Sequence, residues 1–478
     1  MPRSHRISHW DPEDLVAWEA GNKYIARRNL IWSVVAEHVG FSIWSIWSVL
    51  VLFMPEAVYG FSAADKFLLA ATATLVGAFL RIPYTLATAT FGGRNWTVFS
   101  AFVLLIPTLG TLWLLAHPGL PLGPYLACAA LTGFGGGNFA SSMTNINAFY
   151  PQRLKGWALG LNAGGGNIGV PTIQLVGLVV IAIAGNRAPH WVCAVYLVFL
   201  AIAGVGAALF MDNLDHHKID VTAMRSILSE RDTWVIALLY IGTFGSFIGF
   251  SFAFGQILQI NFAATGQNAG QAALHAAQIA FIGPLLGSLC RVYGGRLADR
   301  VGGGRITLAT FTGMILAAGL LIGVSSLDDH TRGPATAATM VGYVIGFVAL
   351  FVLSGIGNGS VYKMIPSIFE ARSRSLDVSE QERQQWSRAM SGALIGFAGA
   401  IGALGGVGIN LALRQSYLTS GSATSAFWLF VSFYCAASIL TWAMYVRRPV
   451  WAPAVSADIT SSATAPAVAL AQVGPTPQ

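Results

Sequence analysis

Apolar runs long enough to cross a bilayer recur along nearly the whole chain, and no other feature limits its fold so strongly. A hydrocarbon core of about 30 Å takes about 20 residues of helix, and twelve such runs can be marked off, from Ile31–Met54 to Ala426–Val446. In lipid every backbone N–H and C=O must be satisfied within the protein, so separate runs of this length read as helices. Composition agrees: 10% charged residues are too few to cover a water-exposed surface, for which about a quarter is usual. The expected fold class is an all-α integral membrane protein with twelve transmembrane helices. The net charge of +7 is not gathered on a polar, foldable domain, so nucleic acid is excluded as a partner.

An even number of spans puts both termini on one side, and lysine and arginine placement says which. With the N-terminus inside, twenty of the 27 basic residues fall in cytoplasmic segments and four outside; Arg81, Arg291 and Lys363 remain within spans. Both termini are therefore expected in the cytoplasm. Residues 1–30 are too polar for a cleavable signal. Polar residues 212–232 separate two six-span halves, 31–211 and 233–448, and a Pro/Ala/Ser/Val-rich tail, 449–478, reads as disordered. Cys128, Cys193, Cys290 and Cys435 lie singly in apolar spans, so neither a disulfide framework nor a metal is expected.

The halves echo each other. FGGGNFASSMTNINAFYP (Phe134 to Pro151) in span four answers GIGNGSVYKMIPSIF (Gly355 to Phe369) in span ten. Arg81 precedes Gly92-Gly93-Arg94 in span two as Arg291 precedes Gly303-Gly304-Arg305 in span eight. Duplicated halves with a site where they meet are the layout of major facilitator transporters. The loop GGRLADRVGGGR (Gly294 to Arg305) looks like that superfamily's cytoplasmic loop motif, in which Asp299 and its flanking arginines would latch helix ends. A plain positive-inside loop is the alternative.

A charge in a span is costly and points to function. Arg81 is thirteen residues from Arg94, about 20 Å along a helix, too deep to reach the surface comfortably. Arg291 is only five residues from Arg296, which leaves snorkelling open, but the symmetry with Arg81 argues for a paired role. Glu37, Glu56, Asp65, Asp299 and Glu370 are the acidic residues within or beside spans, and by position most belong to helix ends or loops. No carboxylate is expected at the arginines' depth. Two buried cations without a counterion make a site that an anion must complete, and the guanidinium fork favours planar oxyanions such as carboxylate, nitrate, nitrite or bicarbonate.

Tyr240, Phe244 and Phe247 share one helix face in span seven, and Phe41, Trp44 and Trp47 share one in span one. Membrane packing explains such stripes equally well as a ring cage around a flat anion. Glycines four apart, among them Gly156/Gly160/Gly164, Gly355/Gly359, Gly392/Gly396 and Gly402/Gly406, would let helices of spans five, ten and eleven approach and slide. Asn167 in LNAGGGNIG is the amide expected to meet substrate.

These residues resemble the nitrate/nitrite porter family of the major facilitator superfamily. KGWALGLNAGGGNIGV (Lys155 to Val170) looks like its first signature, and SGALIGFAGAIGALGG (Ser391 to Gly406) is similar to its second. The resemblance runs from about Trp10 to Arg448, with one departure: Val292-Tyr293-Gly294-Gly295-Arg296 stands where Pro-Leu-Gly-Gly-Trp would be expected. It implies that Arg81 and Arg291 hold the anion, that Tyr240, Phe244, Phe139 and Phe41 line its site, and that Asn167 contacts it. A monomer in the plasma (inner) membrane is expected, without cofactor, with nitrate, nitrite and the lipid bilayer as its partners.

The mechanism expected from the residues is nitrate/nitrite antiport by alternating access, because two arginines with no deep carboxylate would repel each other in an empty carrier. Proton-coupled nitrate symport is the alternative, with Glu37-His38 in span one as its proton site. Nine residues beyond Arg28, that pair also reads as a cytoplasmic-end feature. A passive anion channel conflicts with the two-half repeat, and nothing in the chain suggests an enzyme.

Overall fold

The computed structural model describes residues 5–184, 188–215, 221–331 and 336–447; the tail expected from 449 onward lies outside them. Among the described residues, eleven helices are long and apolar enough to cross a membrane. Span one is Leu15–Phe53, span two Ala63–Phe91, span three Gly93–Ala116, span five Arg153–Ala184 and span six His190–Phe210. Spans seven to twelve are Arg231–Ala264, Ala269–Val301, Gly303–Asp329, Ala337–Ser373, Glu380–Ser420 and Thr424–Val446. Span four is built differently from the single run expected: two shorter helices, Leu122–Thr132 and Phe134–Phe149, follow one another across Gly133. The second of these holds the Gly/Asn/Ser-rich echo, whose polar residues dilute its apolarity.

Local chemistry sets the ends of span two. Ser62 caps its start, accepting from the Asp65 amide while the Asp65 carboxylate accepts from the Ser62 amide. Gly92, at φ 85°, turns the chain directly into span three, a conformation that a side chain would strain. Span eight ends the same way at Gly302, φ 100°. Each of these glycines lies eleven residues after its arginine, Arg81 or Arg291. The internal repeat thus sets both arginines at equal distance from equivalent helix ends.

Span two packs on the second helix of span four, span one on span five, and span eight on span ten; between the halves, span eleven packs along span two and span five against span eight. The basic end is tied by charge. Arg28 donates to Asp212 Oδ2 (2.5 Å) beside Asn29, and Arg372 pairs with Glu230 and with Asp232 (2.6 Å). One small departure from an all-helical chain sits there: Arg6–Ile7 pairs in parallel with Asn213–Leu214, so the N-terminal segment is fastened beneath the exit of span six.

At the opposite end the halves touch through glutamine amides. Gln174 of span five donates to the Ser251 carbonyl of span seven (2.9 Å) and to Ser48 Oγ (3.1 Å). Gln256 donates to the Ala63 carbonyl (2.8 Å) and Gln259 to that of Leu52 (2.6 Å), while Phe67 stacks on Tyr417 at 5.5 Å. Large apolar side chains such as Phe79, Ile106, Leu316 and Ile439 point outward and are mostly exposed, as expected where lipid replaces water.

Candidate functional site

Arg81 and Arg291 come together in the middle of the molecule, around one ring. The Arg81 guanidinium carbon lies 4.8 Å from the Phe139 centroid and that of Arg291 5.9 Å from the same centroid, both within cation–π range. Arg81 is 1% exposed. Its Nε donates to the Gly136 carbonyl (3.2 Å) and its Nη1 to the Gly399 carbonyl of span eleven (2.5 Å). Nη2 is buried with no partner among the described residues, and so is Nη1 of Arg291. An unpaired buried donor is costly, and here each of two cations has one.

Rings enclose the pair. Trp44 and Phe244 lie 5.5 and 4.9 Å from the Arg81 guanidinium, and Tyr362 lies 5.1 Å from that of Arg291. Tyr240 stacks on Phe244 with planes 5° apart and meets Tyr362 at 4.6 Å; its buried hydroxyl has no partner among the described residues. Span seven winds through a wide turn at Ile241–Gly245, of the kind often found at functional sites. Phe41 stands one layer back, against Phe139 (6.1 Å) and Trp44 (5.2 Å). Of the two expected stripes, Trp47 turns away to donate to Thr132 (3.2 Å).

A cavity of about 1310 Å³ reaches this cluster from the basic end, lined at depth by Arg291 and Tyr362 and at its mouth by Lys155, Arg296, Glu370 and Arg388. Arg291 therefore meets solvent through the cavity while Arg81 stays sealed behind the rings. Asn167 is 1% exposed, and both atoms of its amide lack a partner among the described residues; it is not part of the cavity wall.

Several expectations change. Glu37 is no helix-end residue: it is 1% exposed, so the inference that no carboxylate reaches the arginines' depth is overturned. Its Oε2 accepts from Ser142 Oγ and from Asn162 Nδ2 (2.5 Å), and its charge is within electrostatic reach of both Arg81 and Arg291. The distance along the helix from Arg28 misled because it carries no information about what packs around Glu37, and Ser142 and Asn162 are brought to it from spans four and five. His38 instead turns to the Gly165 carbonyl (3.1 Å). Asp299 pairs, among the described residues, with Lys363 of span ten (2.9 Å) rather than with its flanking arginines.

The glycines divide. Around Gly156, Gly160, Gly164 and Gly396 an added Cβ would meet nothing within 4 Å among the described residues, so none of them makes a close helix contact here; Gly156, Gly160 and Gly164 face the cavity instead. At Gly359 it would lie 2.3 Å from the Arg291 carbonyl, and at Gly402 2.3 Å from the Tyr240 ring. Those two allow the close contacts on which the site is built.

Sequence reading passed over Tyr362, although the repeat pointed to it. Tyr362 stands four residues after Asn358, as Ser142 stands four after Asn138, one helical turn in each case. Trp44 was legible as part of a stripe but not as a neighbour of Arg81. The Gly136 and Gly399 carbonyls leave no signal in side-chain identity at all.

Comparison with known proteins agrees with this architecture. Residues 38–376 match the family model described as Major Facilitator Superfamily. The "Nitrate/nitrite transporter NarU" of Salmonella typhimurium is 35% identical over 92% of this chain and 96% of its own length, and that of Escherichia coli is 34% identical over the same shares. The "Probable nitrate/nitrite antiporter NarK2" of Thermus thermophilus is 31% identical over 92% and 97%. Among solved structures, a D-xylose-proton symporter superposes with a TM-score of 0.62 over 87% of this chain and 97% of its own, at 12% identity, which speaks for the fold alone. The nucleoside transporter NupG does so with a TM-score of 0.60, at 13% identity over 88% and 100%. The helix order, the repeat and these relatives lead to one assignment: the chain belongs to the nitrate/nitrite porter family of the major facilitator superfamily.

Proposed function

We propose that this protein carries nitrate and nitrite across the plasma (inner) membrane by alternating access, with the anion held between Arg81 and Arg291. One observation carries the reading: two buried guanidiniums share the Phe139 ring, and each keeps a donor nitrogen without a partner. A planar oxyanion supplies the missing acceptors and half-neutralises the pair. The Tyr240 hydroxyl is a third donor, and Phe139, Phe244 and Tyr362 form walls that suit a flat ion and exclude water. Asn167 belongs to the same proposal as an amide contact made when the halves close.

With both termini in the cytoplasm, the open cavity faces inward and the glutamine contacts close the outer side. The glycine faces of spans five and eleven, now apart, are the surfaces that would meet in the outward-open state. Exchange of nitrate for nitrite is the leading mode, and a relative's name, nitrate/nitrite antiporter, supports it. Uptake coupled to a proton is a second reading, favoured by the buried Glu37 carboxyl. A passive channel is disfavoured by the closed outer end.

The test is counterflow in proteoliposomes loaded with nitrite and diluted into labelled nitrate. Uptake that depends on the internal anion and is lost in Arg291→Gln is expected. Equal uptake with or without Arg291 would remove the basis of the proposal.

A further inference from the structure

Charge on the wall of the inward cavity divides into paired and unpaired groups. Asp299 is held by Lys363 (2.9 Å), Glu370 by Arg374 (3.5 Å) and Glu380 by Arg383, and all six residues line the cavity. The wall's other charged residues have no ion pair among the described residues: Arg291 at depth, and Lys155, Arg296 and Arg388 at the mouth. All of these are cations. The positive-inside bias accounts for basic residues on this side of the membrane. It does not account for a wall on which each carboxylate is spent on a neighbouring cation and the charge left over is positive.

The mouth cations come from both halves. Lys155 lies near the start of span five, Arg296 near the inner end of span eight and Arg388 near the start of span eleven. Lys155 is half-buried, and the charge of Arg388 reaches it from the other half. Arg388 has a long contact to Gln384 Oε1 (3.5 Å). Outside the wall, Glu13 of the N-terminal segment acts on Lys155 through its charge and is itself exposed. Two like charges on the two sides of an opening repel, and an anion that settles between them is attracted by both. Arg296 adds to the same field, where the family resemblance would place a tryptophan.

From the mouth the way inward is short. Arg291 is five residues deeper than Arg296 on span eight, about 7–8 Å along the helix. On span five, Gly156, Gly160 and Gly164 follow Lys155 along the cavity wall, and a Cβ at any of them would meet nothing within 4 Å among the described residues. That strip of span five therefore puts no side chain in the path of an anion moving from the mouth cations toward Arg291.

We propose that Lys155 and Arg388, with Arg296 strengthening their field, form a second anion site at the inner mouth, which captures nitrate or nitrite from the cytoplasm before it passes to Arg81 and Arg291. The inference rests on the anion-transport reading and on the inward orientation of the cavity given above. The site is open to water, so salt screens it: its field reaches about 30 Å at about 0.01 M salt and about 3 Å at about 1 M. Its effect belongs to entry from the cytoplasmic face, since an anion arriving from outside reaches Arg81 and Arg291 without passing the mouth.

Wild type, Lys155→Gln, Arg388→Gln and the double variant are compared in proteoliposomes sorted by which face is outward, with labelled nitrate varied at that face and saturating nitrite inside. A unit charge about 8 Å away in water alters anion occupancy about twofold. At about 0.01 M salt the cytoplasmic-face half-saturation is therefore expected to rise about twofold in each single variant and about fivefold in the double variant, with the maximal rate kept. At about 1 M salt these differences are expected to vanish, and at the outer face none is expected at either salt concentration. Arg388→Lys keeps the charge and is expected to match wild type. A double variant with wild-type half-saturation at the cytoplasmic face in low salt would overturn the proposal. So would a rise that persists in high salt or appears equally at the outer face, because altered packing, unlike a lost field, ignores salt and side. Wild-type counterflow that is lost in Arg291→Gln but untouched in the double variant would overturn this inference and leave the transport reading standing; wild type without counterflow would overturn both. If Lys155→Gln does not fold, Arg388→Gln at the exposed position decides by the same comparison of salt and face.

Discussion

Replacing Arg81 by lysine keeps the charge and removes the fork, and the geometry around that side chain sets the size of the effect. Arg81 spends Nε on the Gly136 carbonyl and Nη1 on that of Gly399, and has Nη2 left over. A lysine has one nitrogen on a flexible stem. Its three N–H donors radiate from a single point, so it cannot reach the Gly136 and Gly399 carbonyls of spans four and eleven and also place a donor where Nη2 stands. A hydrogen bond to a charged group contributes about 1.5–3 kcal/mol, which at about 1.4 kcal/mol per decade corresponds to roughly 10- to 100-fold weaker anion binding. Loss of ring contacts to Trp44, Phe139 and Phe244 acts in the same direction. The assay is nitrate titration of the purified protein by calorimetry, paired with the counterflow half-saturation and with a thermal melt to confirm folding. Binding by Arg81→Lys within threefold of wild type, in a normally folded protein, would refute the claim that the guanidinium geometry matters beyond its charge.

Other perturbations follow from the same packing. Gly160→Leu points into open cavity, so the protein is expected to purify and melt as wild type while counterflow drops more than tenfold, because the halves cannot close on that face; full exchange would show that this face never closes. Gly135→Ala would place its Cβ 2.1 Å from the Gly40 carbonyl oxygen, a backbone atom that cannot step aside, and a destabilisation of about 1–3 kcal/mol or worse is expected, read as reduced yield and a lower melting temperature. Gln174→Ala removes bonds to Ser251 and Ser48 and is expected to raise labelling, from the outside, of a cysteine introduced at Ser48, by a population shift toward the outward-open state.

Much of this protein is legible in its sequence alone. Runs of about 20 apolar residues determine helices because lipid offers the backbone no partner, and the lysine and arginine bias suggests their orientation. The repeat picked out Arg81 and Arg291 by their scarcity, and both lie in the structure eleven residues before a positive-φ glycine. What depends on one helix at a time, namely length, caps and the identity of a buried charge, is written locally. Glu37 was misread for the opposite reason: its burial is decided by Ser142 and Asn162, 105 and 125 residues away in the chain. The same holds for the carbonyls that hold Arg81, for Tyr362 beside Arg291, and for glycines that face a cavity rather than a helix. A side chain's electrostatic surroundings come from whichever helices pack around it, and helical periodicity records which face is apolar without recording what that face meets. The sequence by itself therefore determined the helices and the two cations, and only the tertiary structure decided which groups surround them.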